Sequence, residues 1–395
     1  MRILFIHRTL GSFGGAESNV FATAGALRRR GHTVGLVAER TSGKGESVWH
    51  DLFAKNLSWA KGGDSADLAR SFVPDVIYIH KWEHLACLEA LLKCDTPLIR
   101  MVHDHDMYCL RSYRYNPLTR RICTRPAGAH CLVPCLATVQ RKRGGGLPVR
   151  WVSLSEKQRE LALSRRFALN VVANNFMKGE LLLNGFDPAR IEICAPAPAP
   201  AEPVRSSFSE RNLLLFTGQI IRGKGVDVLL RALAKVESPF EALILGEGNH
   251  RAKCEKLCRR LGLERRVAFK GFIPPEELRG FYREATAVLV PSVWPEPMGL
   301  VGLEAMRNAL PVVAFDAGGV SDWLRDLENG FLVPWMDTDV FARRIDDLLK
   351  DKRLARTMGE SGQARASRDF DFQDYISRLE ELFGRAARGR RKEAA

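Results

Sequence analysis

Short apolar runs alternate with amphipathic stretches along most of the chain. Arg2–His7 (R-I-L-F-I-H), His32–Ala38, Asp75–His80 (D-V-I-Y-I-H), Pro97–Val102 and Leu169–Ala173 are apolar almost throughout and too short for buried helices. Such runs read as strands covered on both faces. Ala16–Arg30, residues 83–93 and residues 156–165 carry helical spacing between them. The rhythm returns in Leu213–Thr217, Ala242–Gly246, Val267–Lys270, Ala287–Val290, Pro311–Phe315 and Gly330–Val333. Strand followed by helix, repeated, predicts an α/β chain with parallel sheets. Met107–Arg150 breaks the pattern, and a strand near 150–153 is expected to resume it. Phe372–Phe383 has the spacing of an amphipathic helix. The run A-P-A-P-A-P-A-E-P at 195–203 is an extended linker. It divides the chain into a domain over 1–200, with an insertion at 107–150, and a second over 201–370. A helix and basic tail follow over 371–395.

Composition narrows this picture. A length of 395 residues with 46% hydrophobic content suits two globular domains. No apolar run reaches the roughly 18 residues that span a bilayer. Met1–Ile6 runs straight into a glycine loop and is too short for a signal-peptide core, so a cytoplasmic protein is expected. The net charge of +14 is uneven: residues 1–200 carry +11 and the remainder +3. The first half therefore suits an anionic partner or surface. Nine cysteines without an export signal argue against a disulfide framework.

Four stretches carry candidate chemistry. Pro291, Pro295 and Pro297 keep the segment after the fourth strand of the second half irregular, and a helix is predicted from Met298 or Gly299. Glu296 then lies at a helix start and Glu304 inside the helix. Free backbone N–H groups there favour phosphate, and two carboxylates favour sugar or ribose hydroxyls. Gly218–Gly225 (G-Q-I-I-R-G-K-G) puts Arg222 and Lys224 on a glycine-rich loop after a strand, which suits a diphosphate. Gly11, Gly14 and Gly15 form a similar loop after the first strand, without the dinucleotide spacing. His103-Asp104-His105-Asp106 ends another strand, where parallel sheets bind ligands, and His103 is the residue singled out. Cys109, Cys123, Cys131 and Cys135, spaced C-x13-C-x7-C-x3-C, are a candidate structural zinc site; buried thiols explain them equally well.

Taken together, these motifs resemble the retaining GT-B glycosyltransferases of family 4, also described as glycosyl transferases group 1. Glu296–Met306 matches that family's E-x7-E motif, Gly218–Gly225 its Gly…Arg-x-Lys-Gly loop, Gly14-Gly15-Ala16-Glu17 its first-domain glycine loop and His103-Asp104 its His-Asp pair. Asn329–Val333 matches its Asn-Gly-x-Leu-Val. The resemblance implies two Rossmann-like domains facing a central cleft, with the C-terminal helix packing back on the first. It implies a hexosyltransferase using a UDP- or GDP-linked sugar. Arg222 and Lys224 would bind the donor diphosphate, Glu304 the ribose, and Glu296 the transferred sugar. His103 would contact that sugar's outer hydroxyl. Gly14, Gly15, Gly218, Met298, Gly299 and Leu300 would approach the donor. No metal is required for catalysis in such enzymes, because Arg and Lys supply the positive charge. Ala309, where a glycine is usual, and Asp322, where a glutamate is frequent, depart from the pattern.

Two other readings are open. One is a sugar-nucleotide epimerase or hydrolase on the same fold. The other is a nucleic-acid-binding protein using Tyr108, Tyr113 and Tyr115 beside Arg111 and Arg114. The latter leaves Glu296, Glu304, Arg222 and Lys224 unexplained, so no nucleic-acid partner is expected. Met107–Arg150 holds nine Lys/Arg and no acid, and Leu132, Val133, Leu136 and Val139 lie among them. With five more cations in Arg385–Lys392, this predicts a peripheral enzyme on an anionic membrane surface at the cytoplasmic face. Its acceptor is expected to be a glycan or a lipid-linked molecule of the cell envelope.

Overall fold

A computed structural model describes the chain except for residues 12–13, 60–64, 142–148, 201, 209–210 and 394–395. The chain forms two compact units. One comprises Met1–Pro117, Cys123–Ala199 and Phe372–Ala395, and the other Leu118–Ile122 and Pro200–Asp371. The expected boundary of 1–200 thus needs one correction, because Leu118–Ile122 belongs with the second unit; there Arg120 pairs with Asp227 at 2.6 Å.

Among the described residues nine strands lie in the first unit: β1 (Arg2–Leu10), β2 (Thr33–Thr41), β3 (Lys55–Ser58), β4 (Val76–Ile79), β5 (Leu98–Val102), β6 (Val139–Arg141), β7 (Val149–Trp151), β8 (Leu169–Val172) and β9 (Ile191–Ile193). Seven make a parallel sheet in the order β3-β2-β1-β4-β5-β8-β9. The near-continuous apolar character of β1 has a direct cause. Ile3 and Phe5 face a layer with Val20 and Leu27, while Leu4 and Ile6 face another with Trp82, Leu88 and Phe167. Strands β6 and β7 pair only with each other, antiparallel. The strand expected to restart the rhythm near 150 is therefore part of a hairpin outside the main sheet.

The helix Phe372–Glu393 belongs to the first unit. Its Phe372, Tyr375, Ile376, Leu379, Leu382 and Phe383 share one core with Ile3, Phe5 and Tyr78. The stretch read as a basic tail is the continuation of this helix, and Arg385 and Arg378 both pair with Glu192.

In the second unit β10 (Leu213–Thr217), β11 (Glu241–Leu245), β12 (Val267–Gly271), β13 (Ala285–Val290), β14 (Val312–Phe315) and β15 (Gly330–Val333) form a parallel sheet in the order β12-β11-β10-β13-β14-β15. Cys254 and Cys258 pack into its core beside Leu257 and Ile244, as their helical spacing suggests. In each sheet the order runs outward from a central strand, so the chain leaves β1 and β4, or β10 and β13, toward opposite sides. Loops diverging at such a switch point leave a crevice at the strands' carboxyl ends. Both candidate sites lie there.

Candidate active site

In the second unit the loop after β10 and the loop after β13 are fastened together by their backbones. Val293 and Trp294 both donate N–H bonds to the Gly223 carbonyl, at 2.9 and 3.1 Å. Gly225 adopts φ 70°, and a Cβ there would stand 1.9 Å from the Pro291 oxygen. Only glycine permits that approach. The short 3-10 turn Arg222–Lys224 is thereby fixed against the proline loop.

Lys224 reaches across this junction. Its Nζ lies 2.7 Å from Glu296 Oε1 and 5.3 Å from the centre of the Trp294 ring. The Ser292 hydroxyl donates to the same carboxylate. Glu296 is buried. Burial pushes its carboxyl up, but the Lys224 charge and the hydrogen bonds from Lys224, Ser292 and Trp294 hold it below the usual glutamate range. The carboxylate is thus ionised and oriented. The loop after β14 also grips the Glu296 backbone: its N–H donates to Ala317 O at 3.0 Å, and Gly319 N–H donates to its carbonyl at 2.7 Å. Gly318, at φ 71°, lies so near that a Cβ would come within 2.6 Å of Glu296 backbone atoms.

The helix after this loop is Leu300–Arg307, capped by Gly299, one residue later than the expected start. Trp323 Nε1–H donates to the Met298 carbonyl at 2.5 Å and fixes the loop's exit. Glu304, inside the helix, is half-buried. Burial pushes its carboxyl up to about 7, with Arg307 and the Tyr282 phenol pulling the other way. The two glutamates thus differ: Glu296 is ionised throughout the neutral range, and Glu304 titrates within it. Arg222 is half-buried on the same loop as Lys224, and Gly218 opens that loop at the end of β10.

In the first unit Gly14 caps the helix Gly15–Arg29. Glu17 in its first turn accepts from His7 Nε2 on β1, at 3.1 Å. His80 follows β4 and His103 follows β5, with His80 Nδ1 only 2.7 Å from His103 Nε2. Burial depresses both rings, His80 far below the ordinary histidine value and His103 to about 3; His7 and Lys81 add to the shift at His103. Both imidazoles are neutral near pH 7. Lys81 Nζ pairs with Asp104 at 2.5 Å and Asp106 at 3.0 Å. Burial works against this ammonium, but the two carboxylates hold its pKa above the usual lysine value. Asp104 also caps the turn His105–Met107, and His105 is buried against the Tyr108 hydroxyl at 2.8 Å. Of the four ionisable residues after β5, His103 alone joins the histidine cluster. Sequence reading missed His7, Glu17, His80 and Lys81 as its neighbours. The signal for two of them is position, since His80 and Lys81 stand just past the end of β4, while His7 lies inside β1 and Glu17 in the first turn of the helix that follows it.

Two family models cover most of the chain: "Glycosyltransferase Family 4" over residues 13–197 and "Glycosyl transferases group 1" over residues 201–365. The chain belongs to the family 4, group 1 glycosyltransferases. Among its relatives are an uncharacterized glycosyltransferase of Methanocaldococcus jannaschii, 35% identical over 144 residues, 36% of this chain and 37% of that protein. A D-inositol 3-phosphate glycosyltransferase of Rhodococcus erythropolis is 32% identical over 240 residues, 55% of this chain and 54% of that one. The matched stretches thus span about half the length of these relatives or less. The GT-B fold is shared with Anabaena HepE, solved with UDP and glucose, at TM-score 0.71 and 19% identity over 97% of this chain and 99% of that one. Sucrose-phosphate synthase of Thermosynechococcus elongatus gives 0.73 and 18% over 97% and 98%.

Two departures from the family pattern resolve differently. Ala309 has φ 53°, the left-handed conformation that a glycine there would adopt freely. Asp322 lies in the short helix Val320–Trp323 after the Gly318-Gly319 loop. The cysteine-rich insertion of this glycosyltransferase chain brings its thiols near a histidine. His130 Nε2 lies 3.8 Å from Cys123 Sγ and 3.6 Å from Cys131 Sγ, and Cys109 and Cys135 stand close enough to raise the Cys131 thiol further than burial alone does. The thiols therefore gather, yet all are free, and among the described residues no three His, Cys, Asp or Glu side chains are disposed to hold a metal ion. The arrangement described is a thiol–imidazole cluster.

Proposed function

We propose that this protein transfers a sugar, with retention, from a UDP- or GDP-linked donor to a glycan or lipid-linked acceptor of the cell envelope. The Lys224–Glu296 pair carries this reading. An ammonium has three donors; Glu296 orients one, and the others are available to the donor diphosphate. Arg222 supplies a second cation for the leaving nucleotide, so the reaction proceeds without a catalytic metal. Glu296 contacts the transferred sugar and Glu304 the ribose hydroxyls. Gly218, Met298, Gly299 and Leu300 line the donor through their backbone, Gly14 and Gly15 do so from the first unit, and His103 contacts the sugar's outer hydroxyl. Relatives lend support: one from Mycolicibacterium smegmatis, 30% identical over 199 residues, is described as a GDP-mannose-dependent mannosyltransferase acting on a phosphatidylinositol monomannoside.

A thermal-shift screen of UDP, GDP, ADP and their sugars tests this. One nucleotide class raises the midpoint in the wild type and not in Lys224→Ala, with or without EDTA. No shift with any nucleotide, or an equal shift in the variant, refutes the donor site.

The membrane part of the reading rests on the insertion. Leu132, Val133, Leu136, Val139 and Trp151 are all exposed, and Val139 faces Trp151 across the β6–β7 hairpin. An apolar cluster of this kind marks an interaction surface. The basic contribution is smaller than composition implied. Arg114 is buried against Glu180, Arg120 pairs with Asp227, and Arg111 donates to the Cys135 and Leu136 carbonyls. Arg121 and Arg125 are exposed. The Gly144–Gly146 turn lies outside the described residues. Among the described residues no helix is long and apolar enough to cross a membrane.

A further inference from the structure

The histidine pair in the first unit contains more information than its distance. His80 is wholly buried. Its ring stacks on Phe5 on one side, with centroids 5.5 Å apart and 7° between planes, and on His103 at 5.0 Å and 25°. Tyr78 packs edge-on at 4.4 Å. The ring is therefore held in one orientation, with Nδ1 toward His103 Nε2 at 2.7 Å. That contact contains one proton, and either ring can hold it. The other nitrogen of His80 decides between them. His80 Nε2 is shielded from solvent and has no hydrogen-bond partner.

If His103 donated, His80 would carry its own proton on Nε2, and a buried N–H would point at nothing. Buried N–H groups without an acceptor are rare in folded proteins, and bare acceptors less so. If His80 donates through Nδ1–H, only a lone pair is left unmatched. The neighbourhood excludes the third state, two protons on one ring. Lys81 and Arg100 both add positive charge against His103, and burial penalises an imidazolium at either position.

We propose that His80 is a positioning residue that locks His103 in the tautomer with its proton on Nδ1. With Nε2 occupied by His80, the nitrogen that His103 offers a ligand is then a hydrogen-bond donor. It selects a sugar whose outer hydroxyl accepts at that point. This rests on the proposed role of His103 in sugar contact; the tautomer itself is a property of the free protein.

The test is nitrogen-15 NMR of the full chain, labelled at histidine, without ligand at neutral pH. Two-bond correlations distinguish a protonated from a bare ring nitrogen, and a His103→Asn variant assigns the signals. His103 and His80 are both expected with protonated Nδ1 and bare Nε2. A His103 protonated at Nε2 overturns the proposal. In His80→Asn the amide nitrogen replaces Nδ1 as donor, and the His103 pattern is retained. In His80→Leu the donor is gone, and the Nε2-protonated form of His103 appears. Retention of the Nδ1 form in His80→Leu overturns the positioning role even if the wild-type pattern is as expected. Should the leucine variant not fold, the wild-type and asparagine spectra still decide. None of these readouts uses a nucleotide sugar, so failure of the donor screen and failure of this inference are separate results.

Discussion

Lys224 and Glu296 place the sharpest demand on single side chains. Removing the ammonium leaves a buried carboxylate without its partner and, under the proposed function, takes away charge that the leaving phosphate would need. Lys224→Ala is therefore expected to lower kcat/KM by about 10²-fold, equivalent to ~2.7 kcal/mol; near-wild-type turnover contradicts the assignment. Glu304 predicts a pH dependence. Under the ribose contact proposed for it, hydroxyls bind best to the ionised carboxylate, so donor binding would lower a pKa that starts at about 7. Donor affinity should rise as pH climbs from 6 to 8, with proton release on binding, and should be flat in Glu304→Gln. Calorimetry in buffers of different ionisation enthalpy reads the protons directly, and uptake in place of release reverses the sign and rejects the idea. Ala309 gives a stability test away from the site. Its left-handed φ of 53° costs an L-residue about 1–2 kcal/mol, which glycine avoids while losing more chain entropy. Ala309→Gly should raise the unfolding free energy from urea curves by a net amount of about 0.5 kcal/mol; a lower value shows that the methyl group's packing outweighs the strain.

At the level of elements, the inner strands of both sheets were legible because parallel strands buried on two faces have no polar positions to disguise them, whereas the short, part-exposed edge strands β3 and β9 of the first sheet were not read from the sequence. The glycine loops were legible because close approach leaves glycine little alternative. Two further things were not. Val149–Trp151 carries the β-formers Val and Trp as a sheet strand does, and only its partner Val139–Arg141 makes it a hairpin. The histidine cluster combines residues from three separate strands or their ends, and nothing local in D-V-I-Y-I-H-K announces that His80 will meet His103. Likewise, a count of charges could not show that Arg114 turns inward to Glu180. The exposed hairpin makes the membrane prediction specific. Sedimentation with anionic vesicles should fall several-fold in a Leu136→Ser, Trp151→Ser double variant, while the wild type binds in a salt-sensitive way. Equal recovery of both proteins in the supernatant at low salt removes this surface from the proposal.

For the whole molecule, the two buried imidazoles tie the stability of the first unit to pH. The unfolded chain takes up protons at His80 and His103 below about pH 6.5, while the folded unit resists, His103 down to about 3. Stability should therefore fall as pH drops from 6.5 toward 5, by up to ~1.4 kcal/mol per group per pH unit, and by less in His80→Asn. Denaturation curves at pH 7.5 and 5.5 check this, and an unchanged midpoint counts against it. The helix Phe372–Glu393 contributes six buried side chains to the same unit. At roughly 1.5–3 kcal/mol each, their loss exceeds the net stability of a typical domain. Domains usually mature in the order in which the ribosome releases them. Here that order is inverted: the second unit has its whole chain once Asp371 emerges, whereas the first must wait, incomplete, for the final helix. A premature stop just after Asp371 would thus strike the half of the protein translated first and spare the half translated last.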